Sequence, residues 1–388
     1  DVENVTILKG AAATALYGSR AANGVIMITT KSGKGAKEKG IKVEYTTNFT
    51  YTNFLRLPQF QNVFGQGWSG HFAYEENGSW GPKFDGKVRK WGAVYNNSQQ
   101  IKPFVALESN VADFYEVGIG RNNTLSLSGG DEKRNFYFSY ANNYEDGVLP
   151  SSVDNMDRHT FNAKGELKVN KFNIKTSANY IYRQGTLPPD GRGGTNSAAN
   201  VYSELLQIPR DISVVDHKDY KNNPFATPDY YFTWYADNPY YAIHENLNEY
   251  KENRFFGNTE MTYEFFKDFK GTFRLGTDIT NYIRRDWEAI NKYTPGSWNA
   301  EAGKKENPGY YADLFGKRQE IYADLLFQYQ HNVNDFSFNA LGGYNINQRD
   351  GRSIGSSIST LEVPYWYNIK NSSTPANTPS SPSTVTSN

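Results

Sequence analysis

The chain runs to 388 residues, with 41 basic side chains against 41 acidic and no cysteine. That balance excludes the net basic face of a nucleic-acid binder, and the missing cysteines exclude a disulfide framework or a Cys-based metal site. No apolar run approaches the roughly 18 residues of a membrane-spanning helix. A mean hydropathy of −0.71 does not exclude a membrane, however, because a transmembrane barrel turns only alternate residues to lipid. Aromatics make up 15% of the chain; with plentiful Asn, Gly, Ser and Thr at turns they predict an all-β protein.

Residues 1–31 read as one compact unit. Val5 and Ile7 alternate with polar neighbours as a short strand ending at Gly10. The Ala-rich stretch 11–16 predicts a brief helical turn closed by Tyr17-Gly18. Asn23-Gly24 is a tight-turn signal, both positions tolerating positive φ, and Val25-Ile26-Met27-Ile28-Thr29-Thr30 is a β-branched buried strand. The opening Asp1-Val2-Glu3-Asn4-Val5 has no signal-peptide pattern.

The run from Leu8-Lys9-Gly10 through Tyr17-Gly18-Ser19-Arg20-Ala21-Ala22-Asn23-Gly24 to Lys31 closely resembles the end of the plug domain in TonB-dependent outer-membrane transporters. The stretch from Tyr17 to Val25 is similar to the SusC/RagA subfamily in particular, although Gly10 stands where that subfamily often carries an acidic residue. On this resemblance Leu8, Lys9, Gly10, Tyr17, Gly18, Arg20, Asn23 and Gly24 mark the C-terminal part of a small α/β plug. Residues 32–40, with Lys34, Lys37 and Lys39 among Gly33, Gly35 and Gly40, form a flexible connector. A basic run also suits anionic lipid, but this one is short and broken by glycine.

From Ile41 to residue 350, strands with period-2 alternation recur, each with one apolar row. Phe136, Phe138 and Tyr140 share a face; Phe161, Ala163, Gly165, Leu167 and Val169 oppose Asn162, Lys164, Glu166 and Lys168. Phe172, Ile174, Thr176, Ala178, Tyr180 and Tyr182 form another row, and the pattern returns at 255–265, 273–279, 321–329 and 336–344. The rows tend to begin and end on aromatics, as interfacial girdles do, and each covers about ten residues, the span of a tilted transmembrane strand. Connections alternate between short ones, such as Val169-Asn170-Lys171 and Phe266-Lys267-Asp268, and long ones at 53–121, 145–158, 184–253 and 286–317. Bacterial barrels have short periplasmic turns and long extracellular loops, whereas a β-sandwich has no reason to sort its loops. The expected fold is therefore an incomplete transmembrane antiparallel β-barrel of about nine strands, against about 22 in a complete plugged transporter. Residues 351–388, Ser/Thr/Pro-rich at their end, are expected to be a polar outer loop without strand character.

Phe64-Gly65-Gln66-Gly67, Gly78-Ser79-Trp80-Gly81-Pro82-Lys83-Phe84-Asp85-Gly86 and the stretch 123–133 also resemble the early barrel of SusC-type proteins. The resemblance implies active import of an oligosaccharide or peptide across a Bacteroidetes-type Gram-negative outer membrane, driven by the TonB complex and assisted by a SusD-like surface lipoprotein. Most of the plug, the TonB-contacting segment and more than half the barrel are expected to lie outside these residues. A soluble or secreted β-rich binding protein such as an adhesin, and a passive porin, are the alternatives.

Reactive chemistry is not assembled by spacing. His71, His159, His217, His244 and His331 form no spaced metal pair, and Gly191-Arg192-Gly193-Gly194 lacks a strand–loop–helix frame. Asp211, Asp216 and Asp219 lack calcium-loop spacing. No enzymatic activity, cofactor or metal is expected. The candidate surface is aromatic: Trp68, Trp80 and Trp91 in the first long loop, and Tyr230, Tyr231, Trp234 and Tyr235 in the third. Such rings stack on sugars or anchor a protein partner; more commonly they pack a loop against itself.

Overall fold

The computed structural model describes residues 2–9, 23–31, 40–188 and 201–387. The expected helical turn at 11–16, most of the Lys/Gly connector, and Gly10, Tyr17, Gly18 and Arg20 of the plug motif lie outside them. Strands β1 (Val2–Leu8) and β2 (Val25–Thr30) pair antiparallel, Leu8 opposite Val25. Gly24, at φ +97°, makes the turn before β2.

Ten strands form one antiparallel sheet, ordered as an up-and-down meander. Its first strand is β3 (Ile41–Thr52), and the hairpin β4 (Val88–Tyr95) and β5 (Ser98–Pro103) stands apart in the first long loop. The sheet continues through β6 (Gly118–Gly130), β7 (Arg134–Asp146), β8 (Asn155–Val169), β9 (Phe172–Leu187), β10 (Leu247–Phe266), β11 (Phe269–Asn291), β12 (Asn307–Val333) and β13 (Phe336–Ile358). These nine include every strand expected from the sequence, and the short and long connections alternate along the edge of the sheet as expected.

Two expectations need correcting. The strands are not about ten residues long; β12 has 27 and β11 has 23. The apolar row stops at the aromatic girdle, but the backbone ladder runs on beyond it, tied by polar pairs such as Arg285 with Glu249 at 2.8 Å. Sequence alternation sees only the part that meets lipid. Nor is 351–388 wholly a loop: β13 reaches Ile358, and β14 (Ser380–Ser387) pairs with it, Asn347 opposite Ser387. A Ser/Thr-rich strand has no apolar row to announce it, yet its backbone pairs with β13, Pro382 alone bringing no N–H donor.

The register settles which residues share a face. On β12 Ile321, Ala323, Leu325 and Phe327 form one row, and Leu325 pairs between Phe273 and Tyr344. This row is exposed, Leu325 at 44%, and contiguous with the apolar rows of its neighbours; an exposed apolar band of this extent calls for lipid. From Phe172 to Tyr180 on β9 it spans eight steps, or ~26 Å along a strand rising about 3.3 Å per residue. The opposite row is bonded side chain to side chain: Glu260 of β10 holds Lys175 of β9 at 2.9 Å and Arg274 of β11 at 2.7 Å. Asp324 accepts from Asn345, and Glu320 pairs with Arg349 at 2.9 Å. Tyr322 and Leu326 share this polar row for a steric reason. Each lies across a glycine of the next strand, Gly276 and Gly343, where a Cβ would collide with it. The polar row also meets the end of β2: Lys31 pairs with Glu44 at 3.3 Å, and Lys164 donates to the Lys31 carbonyl at 3.2 Å.

Candidate functional site: the loop cap and the mouth beneath it

The main hydrophobic core lies in the long loops, not in the sheet. Residues 53–117, 147–154 and 201–246 contribute Phe114, Val153, Leu205, Ile212, Phe232 and Ile243, among others, to one buried cluster. Short helices fix this geometry, α1 (Val201–Leu206) and α2 (Pro239–Glu245). Asn238 caps α2 by accepting from the Tyr240 N–H at 3.0 Å, while its Nδ2 donates to the carbonyls of His217 and Ala226. Loop 292–306 joins through α3 (Trp298–Glu301), where Asn299 donates to the Pro228 carbonyl at 2.7 Å. Loop 359–379 has a smaller core of its own with Tyr311, Ile358 and Leu361.

A buried polar clamp fastens the first loop to the third. Lys102 Nζ pairs with Asp211 at 2.6 Å and donates to Gln66 Oε1 at 2.8 Å, and the Gln66 N–H donates to Asp211 at 2.8 Å. Burial lowers the Lys102 pKa to about 8, opposed by the Asp211 charge. Arg210 beside it donates to Asn62 and to the carbonyls of Gln61 and Glu108. Asp211 is thus occupied structurally, and among the described residues no acidic or histidine cluster suits a metal ion. Deeper in the cap, burial and then neighbouring Asp237 raise Glu204 to about 8, while burial pushes His217 down to about 4.

The sequence-predicted aromatics separate into four environments. Trp91 and Tyr231 are 6% and 1% exposed, within the cap core, so these two pack the loops and do not face a ligand. Trp68 and Trp80 protrude, 59% and 68% exposed, from a turn whose backbone is closed by Trp68 with His71 and by Trp80 donating to Gly67 at 3.1 Å. Gly67, at φ +134°, is required there, since a Cβ would strike the His71 carbonyl. Tyr230 packs edge-on against Tyr95 at 4.9 Å. Trp234 and Tyr235, 5.3 Å apart, join a row with Trp298 and Tyr74, two rings that sequence reasoning did not single out.

Sequence reasoning also missed the mouth. A cavity of about 1040 Å³ opens at the long-loop end of the sheet, lined by Asn48, Thr50, Asn122, Asn143, Asn248 and Tyr250, among others. These belong to the polar rows of four strands, β3, β6, β7 and β10, and only the register brings them together. Arg183 crosses the wall there, donating to the Tyr250 hydroxyl at 3.0 Å.

No family model matches the chain. It is 26% identical over 381 residues to the TonB-dependent receptor P3 of Formosa agariphila, an alignment covering 94% of this chain and 33% of that receptor. Over 52 residues, 13% of this chain and 5% of the relative, it is 50% identical to the TonB-dependent receptor SusC of Bacteroides thetaiotaomicron. The chain thus spans about a third of the length of the first of these relatives. In fold it matches the RagAB peptide importer in its closed-closed state, with a TM-score of 0.70 at 16% identity, covering 100% of this chain and 43% of that one. These relatives are receptors and transporters, not enzymes. Strand register, loop parity and sequence agree in likening the chain to part of a TonB-dependent receptor of the SusC/RagA type.

Proposed function

We propose that the receptor represented by this chain imports an oligosaccharide or peptide across the outer membrane of a Gram-negative cell. The β1–β2 segment is then the last part of a plug, energised by the TonB complex through residues beyond this chain, and a SusD-like surface lipoprotein covers the loops. The observation that carries the reading is the pairing of a lipid-suited outer row with a polar inner row, topped by a cavity under a folded cap. A nutrient released from the loops enters that cavity before the plug moves. The protruding pair Trp68 and Trp80, on a turn tied by its own backbone, suits anchorage of the lipoprotein, because rigid exposed indoles make good interface centres.

The test is uptake of labelled oligosaccharides and peptides by cells making the full-length receptor, with and without TonB. Uptake should stop when TonB is removed. Uptake that persists would mark a passive pore, and a protein that stays aqueous on detergent phase separation would be a soluble binder.

A further inference from the structure

Three loops bring four rings into one row on the cap: Tyr74 from the first, Trp298 from the fourth, Trp234 and Tyr235 from the third. Successive ring centroids lie 5.9, 6.2 and 5.3 Å apart and successive planes are tilted by 49°, 45° and 47°. The row starts and ends in solvent, Tyr74 being 43% and Tyr235 55% exposed, while the two indoles between them are half-buried.

The framework under the row is fixed. Lys304 pairs with Asp237 at 2.7 Å and donates to the Ala236 carbonyl at 2.6 Å, holding the fourth loop to the third. Asn299 binds the Pro228 carbonyl, and the Thr294 N–H and hydroxyl both donate to Asp229. The Tyr74 carbonyl accepts from Gly92 N–H at 2.7 Å and from Gln66 Nε2 at 3.0 Å. Ordering the rings therefore costs a ligand little. The ion pair below them is internally neutral, so it adds no net charge beneath the rings.

We infer that Tyr74, Trp298, Trp234 and Tyr235 form a stacking site for the uncharged pyranose rings of an oligosaccharide, which deepens the importer reading and rests on it. A pyranose has an apolar C–H face to lay on an aromatic ring and neutral hydroxyls at its edge, and a chain of such rings repeats as the row does. A peptide backbone has no such flat C–H face to repeat along the row. A folded partner would favour the protruding Trp68 and Trp80 over half-sunken rings.

The experiment uses the full-length receptor in detergent on an array of neutral glycans, acidic glycans and peptides, followed by tryptophan-fluorescence titration with the glycan best captured. Neutral glycans should be captured, and Trp298→Ala and Trp234→Ala should each weaken binding by roughly tenfold. Trp68→Ala should leave it unchanged. Trp298→Phe is the control for folding: the indole N–H has no acceptor, so this change loses no hydrogen bond while keeping a ring, and it should bind more tightly than Trp298→Ala. Capture of peptides or acidic glycans alone, capture of nothing, or unchanged affinity in both alanine variants would overturn the site. TonB-dependent uptake of peptides would discard the pyranose assignment and keep the importer; glycan binding with TonB-independent uptake would do the reverse.

Discussion

In the sheet, Leu325 and Phe273 stand 44% and 41% exposed; in the cap, Phe232 and Ile243 are sealed at 1% and 0%. The two regions are built for different solvents. The sheet places its apolar row outward and bonds its polar row inward through Glu260, Asp278, Glu320 and Asp324. The cap does what a water-soluble domain does, closing an apolar core, pairing Lys102 with Asp211 and holding Glu204 and His217 neutral. Exposure of an apolar side chain is thus a statement about what surrounds it, and the line where one pattern gives way to the other marks the membrane surface.

The comparison implies that damage to one region should spare the other. The largest effect is expected from Asp211→Ala, which strands the Lys102 ammonium inside the cap; loss of one partner of a buried pair costs about 3–5 kcal/mol. Hydrogen exchange in 53–117 and 201–246 should accelerate while the barrel keeps its heat-modifiable mobility. Unchanged protection of the loops would show that the clamp does not join them.

In the sheet, Leu325→Arg sets a cation in the lipid-facing row and should cost roughly 2–4 kcal/mol in urea-dependent folding into vesicles. Asp324→Arg, one residue away, should cost clearly less because it stays in the polar row, even though it gives up the bond to Asn345 and faces Arg274 across the ladder. Equal penalties would mean that the faces are reversed.

A smaller, graded effect follows from pH, and in the cap alone. Folded Glu204, beside Asp237, Lys304 and Tyr231, keeps its proton to about pH 8, whereas an unfolded carboxyl loses it near 4.5, so cap stability falls as pH rises between those values. His217 acts oppositely: its unfolded form gains a proton below about 6.5 and the folded form only near 4, so stability falls as pH drops through that window. Lys102 changes the balance only above about 8. From pH 6.5 to 8 Glu204 therefore acts alone, loop protection should decline, and Glu204→Gln should remove the decline. A decline that survives this substitution would assign it to another group.

The smallest effect is expected at the exposed pair Lys218 with Glu116, at 3.4 Å, which links the same two loops as the buried clamp. Lys218→Ala should change cap stability by under about 1 kcal/mol. A loss as large as that of Asp211→Ala would contradict the contrast between buried and surface charge.

What could be read in the sequence follows the same division. Alternation revealed the lipid-facing parts of nine strands, since Phe161, Ala163 and Leu167 must all point one way. It did not reveal β14, whose Ser and Thr residues carry no facial contrast, nor the upper lengths of β10 to β13, where polar pairs and contacts with the loop cores replace the lipid-facing row. The cap was invisible for another reason. Trp91 and Phe232, 5.9 Å apart, are 141 positions distant in sequence, and no local period records such a contact. Hence two of the seven predicted aromatic site residues proved to be core, while Tyr74 and Trp298 went unnoticed until the loops were folded together.

The account stands on the claim that the cap lies outside the cell and the short turns lie in the periplasm. These 388 residues hold no cysteine, so the full-length receptor without a replacement serves as the labelling blank. In the full-length receptor on intact cells, Lys292→Cys in the fourth loop should react with a membrane-impermeant maleimide. Glu132→Cys, in the turn between β6 and β7, should react only once the envelope is opened. Labelling of Glu132→Cys on intact cells, with Lys292→Cys protected, would contradict the account.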